Sequence, residues 1–106
     1  MVKEEKSVFN KIQIKVHLMG LIGERIGKNQ LILELNRGMN VRAFLKYLYE
    51  EYSNYFPEIF IDIHKKTFKL IHFLRNYKDI DLEKDLELEL HEGDEFYLVP
   101  PIGGGY

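Results

Sequence analysis

Asn40-Val41-Arg42-Ala43-Phe44-Leu45-Lys46-Tyr47-Leu48-Tyr49-Glu50-Glu51-Tyr52 carries apolar side chains at Val41, Phe44, Leu45, Leu48, Tyr49 and Tyr52, the i, i+3, i+4, i+7 recurrence of one helix face. Asn40 stands as its N-cap, with a side-chain oxygen able to accept an otherwise orphaned amide of the first turn. A helix of about a dozen residues is marginal alone in water. Burying the stripe is worth roughly 1.5–3 kcal/mol for each large side chain, so the helix must lie across something apolar. Asn54 and Pro57 end it, and Pro57-Glu58-Ile59-Phe60 reads as a short irregular or single-turn segment.

Upstream, Ile12, Ile14, Val16 and Leu18 alternate with Gln13, Lys15 and His17, and Leu31, Leu33 and Leu35 alternate with Ile32 and Glu34. Both are period-2 strands, and the glycines at 20, 23 and 27 between them predict a hairpin with a longish loop. Asn36-Arg37-Gly38 breaks the second strand. Downstream, Phe60 to Ile63 and Phe68 to Leu74 read either as two short strands around His64 to Thr67 or as a loop feeding one strand, with the later segment the better strand. Leu74 to Ile80 reads as a tight turn and return strand with Asn76 in the left-handed region. Leu86, Leu88 and Leu90 alternate with Glu87 and Glu89 as an extended segment with one apolar face, His91-Glu92-Gly93-Asp94 is a turn, and Glu95 to Val99 is the final strand.

This order predicts an α+β roll: a mixed sheet of four to five strands with one main helix packed across one face, the β-grasp arrangement. Its first and last strands are expected side by side and parallel at the sheet centre. The 106 residues fit a single domain, with a polar leader at 1–10 and a flexible C-terminal tail at 100–106. Lys and Arg number 15 against 17 Asp and Glu, a net charge of −2 without a single-sign block, so neither nucleic acid nor an anionic membrane is expected as partner. There is no cysteine, which excludes disulfides, thiolate metal sites and cysteine persulfide chemistry on this chain. The charged opening and the lack of a long apolar run predict a cytoplasmic protein.

The last strand runs into Pro100-Pro101-Ile102-Gly103-Gly104-Gly105-Tyr106. Two prolines end the strand and start a stiff, extended stub. Three glycines then leave a strand slim enough to thread a slot in a partner. The span from Pro100 to Gly105 reaches about 20 Å when extended, at ~3.3–3.6 Å per residue, enough to place a carboxylate deep in another protein's active site. Without further context the same residues read equally as a frayed end.

Leu90, Glu92-Gly93-Asp94-Glu95, an apolar strand and Pro100-Pro101-Ile102-Gly103-Gly104-Gly105, in that order, resemble the ubiquitin-like sulfur-carrier family (MoaD/ThiS-like), and the small subunit of molybdopterin synthase more than the thiamine-pathway carrier. Tyr55-Phe56-Pro57-Glu58 and Phe73 to Ile80 extend the resemblance upstream, so most of the chain beyond Lys11 is covered. The resemblance implies a carrier rather than an enzyme. Its terminal glycine would be adenylated by an E1-like enzyme using ATP, converted to a thiocarboxylate, and inserted into a synthase large subunit for molybdopterin biosynthesis. Aligned on the prolines, Gly104-Gly105 is the functional pair, with Gly105 the acceptor and Pro100, Pro101, Ile102, Gly103 and Gly104 the residues that partners recognise. Tyr106 departs from the pattern and blocks the carboxylate. Its removal by a processing protease, of the metal-dependent type that trims ubiquitin-like precursors, is therefore expected; trimming one residue further would make Gly104 the acceptor. Tyr77, where relatives often have glycine, puts the turn type in question. Two other functions fit the same residues: a ubiquitin-like modifier that forms isopeptide bonds through the same glycine, and a β-grasp binding module whose tail is incidental.

Other candidates read as structural. His17, His64, His72 and His91 fall in no spacing typical of a metal helix or a nucleophile triad, so no metal and no catalytic residue is expected. Asp62 and His64 would share a strand face, and His72 fits a partly buried core position. Glu87, Glu89, Glu92, Asp94 and Glu95 read as a solvated acidic face, with a complement to a basic groove as the alternative. The seven tyrosines and seven phenylalanines exceed what the helix stripe uses, so some are expected as an exposed patch on the sheet face opposite the helix.

Overall fold

The computed structural model describes residues 10–101. Strands β1 (Lys11–Leu18) and β2 (Gln30–Asn36) pair antiparallel and enclose a helix, α1 (Gly20–Ile26), and helix α2 (Val41–Tyr52) follows. Two short strands, β3 (Ile61–Asp62) and β4 (Thr67–Phe68), form a small separate sheet; β5 (His72–Arg75), β6 (Lys78–Asp79) and β7 (Glu95–Val99) complete the main one. Its order is β2-β1-β7-β5-β6, with β7 parallel to β1 and antiparallel to β5. The β-grasp expectation therefore holds, with the first and last strands adjacent at the centre.

The alternation of each strand sorts its side chains. Ile12, Ile14, Val16 and Leu18 of β1, Leu31, Leu33 and Leu35 of β2, and Phe96 and Leu98 of β7 are buried under Val41, Phe44 and Leu48 of α2. Phe44 packs on Phe96 with ring centroids 4.5 Å apart. Asn40 caps α2 as expected, accepting from the Ala43 amide at 2.8 Å. Single 3₁₀ turns at Ser53–Tyr55 and Glu58–Phe60 carry the chain out of the helix.

Three expectations need correction. The glycine-rich loop is a helix: Leu21, Ile22 and Ile26 turn toward the core, Ile22 completely buried, and Gly27 closes α1 in the left-handed region with φ 85°, its amide bonded to Gly23 O. Gly23 is there for space, since a Cβ would stand 2.5 Å from Leu18 O and 3.0 Å from Lys28 O. Phe60–Ile63 and Phe68–Leu74 both contribute strands, but Leu70, at φ 65°, divides the second into β4 and β5. The Leu86–Leu90 segment is not a strand apart from one bridge between Asn40 and Glu89. Turn bonds around Asp81 and Asp85 occupy its approach, and its carbonyls serve the helix instead: Leu88 O accepts from Val41 N and Leu86 O from Arg42 N, both at 2.9 Å. Leu86 and Leu90 turn inward while Leu88 stays half exposed, so its apolar face is not continuous.

Gly23→Ala tests the close approach. Alanine favours an ordinary helix position by ~1 kcal/mol, but here overpacking against two backbone carbonyls should give a net destabilisation of about 1–3 kcal/mol in urea unfolding.

Candidate functional site

The expected tail leaves the chain from β7, which is hydrogen-bonded on both sides. Leu18 lies opposite Leu98 on β1 and His72 opposite Val99 on β5. At the exit, the Met19 amide donates to Leu98 O at 3.1 Å, and Gly20, at φ 53°, lets the chain turn beside Pro100: a Cβ at Gly20 would stand 3.2 Å from Pro100 Cγ. Pro100 and Pro101 are half-buried. The root of the tail is thus seated against the junction of β1 and α1. The expectations for Ile102, Gly103, Gly104, Gly105 and Tyr106, like those for residues 1–9 of the leader, lie outside the described residues.

The start of β7 is tied down by Asp94. It is buried, and burial alone would raise its carboxyl pKa. Donors from the His91 amide, the Asn76 side chain and the Arg75 guanidinium outweigh that and hold it below the usual carboxylate value. Oδ2 accepts from Arg75 Nε at 3.0 Å, Arg75 Nη2 at 2.6 Å and His91 N at 2.8 Å, while Oδ1 accepts from Asn76 Nδ2 at 3.1 Å. Arg75 spends its remaining reach on Glu89 O at 2.7 Å. Asn76 also closes a ring with Glu95, its Oδ1 accepting from Glu95 N at 3.0 Å and its N–H donating to Glu95 O at 2.8 Å. The Gly93-Asp94-Glu95 turn therefore fixes where the last strand begins.

Asp94 does not belong to a solvated acidic face. Glu87, Glu89 and Glu92 are exposed, as expected of a solvated face, although Glu87 accepts from Arg42 Nη2 at 2.7 Å and Glu92 Oε1 from Gln13 N at 2.9 Å; Glu95 is partly buried, its Oε1 2.8 Å from His17 Nε2.

The sheet face opposite α2 carries an aromatic column over β1 and β7. His17 stacks on Tyr97 with centroids 4.1 Å apart and planes at 9°, and Tyr77 leans on Tyr97 at 4.9 Å. Tyr97 Oη lies 2.8 Å from Tyr77 Oη and 3.3 Å from Glu95 Oε1, with one proton to donate between them. The bond to Tyr77, with lesser contributions from burial and from Tyr77 and Glu95 charge, pushes the Tyr97 hydroxyl pKa up. Hydrogen bonding from His17 holds Glu95 down. The expected exposed aromatic patch exists, and Tyr77 is 77% exposed within it. Asn76 and Tyr77 take φ of 49° and 72° in the two-residue β5–β6 connection, so Tyr77 occupies a left-handed position that glycine would hold without strain and keeps it with its ring packed on Tyr97. His72 is exposed rather than a core residue, its Nδ1 3.3 Å from Asp79 Oδ1, because β5 turns Phe73 inward instead. His64 lies in the β3–β4 turn and shares no strand face with Asp62. No cluster of three or more metal-ligating side chains occurs among the described residues. An open groove of about 530 Å³, with Leu45, Tyr49, Phe68 and Leu86 in its walls, runs beside α2.

The model of the ThiS family matches residues 16–105. The chain belongs to the ThiS family of ubiquitin-like sulfur carriers. Members of the ThiS family are small carrier proteins rather than catalysts, and the family in general implies an E1-like activating enzyme and a partner synthase subunit. Solved structures of the same fold include small archaeal modifier protein 1 from Methanosarcina acetivorans, 24% identical with a TM-score of 0.68 over 90% of this chain and 98% of that one. A putative molybdopterin converting factor, subunit 1, from Pyrococcus furiosus is 19% identical with a TM-score of 0.62, over 86% of this chain and 99% of that one. Urm1 from Trypanosoma brucei is 22% identical with a TM-score of 0.62, over 91% of this chain and 98% of that one. No curated protein sequence matches the chain. No helix among the described residues is long and apolar enough to cross a membrane.

Asp94 supplies a sharp test. Asp94→Ala leaves the largely buried Arg75 guanidinium without its counter-charge, and should cost about 3–5 kcal/mol at neutral pH. Because the folded carboxyl pKa is depressed, the wild-type advantage is complete above the unfolded value of about 3.9 and fades as pH falls through the lower folded value. Urea unfolding of both proteins across that range should show the two stabilities converging in acid.

Proposed function

We propose that this ThiS-family chain is a sulfur carrier loaded at Gly105, serving molybdopterin (molybdenum or tungsten cofactor) biosynthesis as the small subunit of a synthase. One observation carries the reading: the family match runs through Pro100-Pro101-Ile102-Gly103-Gly104 and ends on Gly105, the residue whose carboxylate the carrier chemistry needs. A glycine carbonyl is unhindered. Its carboxylate oxygen attacks the α-phosphorus of ATP in the activating enzyme and pyrophosphate leaves; a sulfide equivalent from a sulfur donor then displaces AMP, leaving a thiocarboxylate. The carrier's contribution is presentation of the tail, through a strand gripped on both sides and a root seated on Gly20. Pro100 to Gly104 form the segment that the activating enzyme and the synthase large subunit would hold. No cofactor is bound by the carrier in this reading, and ATP is consumed by its partner. Tyr106 must leave first, through a processing protease, with Gly104 the acceptor if trimming goes one residue further.

A second reading is a protein modifier, in which the activated glycine forms an isopeptide bond with a lysine. Small archaeal modifier protein 1 and Urm1 share the fold, which supports considering it.

Incubation with an E1-like activating enzyme, ATP and a sulfur donor separates the readings, comparing the full chain with a version ending at Gly105. The version ending at Gly105 should exchange one carboxylate oxygen for sulfur by intact mass while the Tyr106 form stays unchanged. Lysine conjugates in cell extract without thiocarboxylate would favour the modifier, and equal sulfur loading of both forms would remove the need for trimming.

A further inference from the structure

The two edges of the main sheet differ. β6 has only two residues and offers little to pair with, whereas β2 has seven and no neighbour on its outer side among the described residues. Which of its backbone groups are free follows from the ladder. Leu18 N donates to Asn29 O and Arg37 N to Asn10 O, and both are directly opposed pairs in the β1–β2 register. Antiparallel pairs alternate between bonded and non-bonded, so Leu31, Leu33 and Leu35 are spent on β1. The amides and carbonyls of Gln30, Ile32, Glu34 and Asn36 therefore point out of the sheet; among these, Asn36 O is also used by Met39 N in the following turn.

Gln30-Leu31-Ile32-Leu33-Glu34-Leu35-Asn36 carries little that protects this edge: Glu34 is its one charge, it has no proline, no lysine and no bulge, and Ile32 is half exposed. The strand is instead complementary to itself. A two-fold axis through Leu33 sets Ile32 opposite Glu34 of the second copy and Gln30 opposite Asn36. In that register every outward-pointing residue meets another outward-pointing residue. No like charges stand directly opposite, and Leu33 meets its own copy on the apolar face.

We propose that the β2 edge pairs antiparallel with the β2 edge of a second copy of this chain, in the register centred on Leu33, to form one continuous sheet across two molecules. A single strand pair is a small contact, so the association is weak and reversible. β2 is separated from β7 by β1, so the two copies of β7 lie away from the contact and run in opposite directions.

Sedimentation equilibrium over a dilution series, together with amide hydrogen exchange read by NMR at both ends of the series, tests the proposal on the wild-type chain. The mass should rise toward that of two chains with concentration, and the Gln30, Ile32, Glu34 and Asn36 amides should slow several-fold in step, while Leu31, Leu33 and Leu35 are slow throughout. Two variants at the half-exposed Ile32 test the register. Ile32→Glu faces Glu34 of the other copy and should weaken association several-fold, and Ile32→Lys should strengthen it at low salt. Within one chain the signs reverse, because Ile32 lies opposite Lys15, so a change in fold stability cannot imitate the result. A monomer mass throughout with fast exchange at the four amides would overturn the proposal, as would a dimer insensitive to both substitutions. Protection gained only on adding another protein would assign the edge to that protein and reject the second copy.

Discussion

The parallel contact between β1 and β7 is the constraint on which the remaining structure hangs. It joins residues from opposite ends of the chain, Lys15 to Glu95 through Leu18 to Leu98. Bringing such distant segments together costs loop-closure entropy, which grows only slowly with separation. Phe96 and Leu98 repay it by completing the floor beneath Phe44 and Leu48. β2 then extends this central pair on one side and β5 with β6 on the other. The geometry of the tail is a consequence: its root is held by the most interior strand of the sheet rather than by a loop.

Register is the vulnerable quantity in such an arrangement. A slip of one residue along β7 would turn Tyr97 and Glu95 into the core and expel Phe96 and Leu98. Asp94 and Asn76 prevent this from the upstream end, because a carboxylate that accepts four hydrogen bonds, and an asparagine whose Oδ1 and backbone N–H engage the main-chain N–H and C=O of Glu95, admit one placement. Met19 and Gly20 grip the downstream end. The outer column of His17, Tyr97 and Tyr77 adds a third brace, and it keeps Tyr77 in a backbone conformation that a bare sequence reading assigns to glycine.

What could be read from the sequence was whatever repeats locally. The α2 stripe with its Asn40 cap, and the alternation in β1, β2 and β7, each concern neighbours within a few residues, and each was legible. The family was legible too, because the prolines and glycines after Val99 stand at a fixed distance from Gly93-Asp94-Glu95. α1 was hidden because seven residues are too few to display a period and its bounding glycines imitate a turn, though Ile22 and Ile26, four apart between them, were a usable hint. Leu86, Leu88 and Leu90 misled for the opposite reason: the alternation is present, but the backbone is engaged at the N-terminus of α2. The burial of Asp94 had no local sign at all, since Arg75 lies on a different strand. The aromatic column likewise needs β1, β5–β6 and β7 assembled before its members meet.

The central position of β7 also orders events in the life of the chain. A polypeptide that stops short of Glu95 lacks the strand that joins β1 to β5 and the Phe96 ring on which Phe44 packs. Such a product has exposed apolar surface and belongs to the chaperones and proteases that clear incomplete chains. During synthesis the domain cannot close until Val99 has emerged, and by then Pro100 and Pro101 follow directly behind it. Closure of the sheet and placement of Pro100 and Pro101 beside Gly20 are thus one event: the strand that completes the core is the strand that carries them.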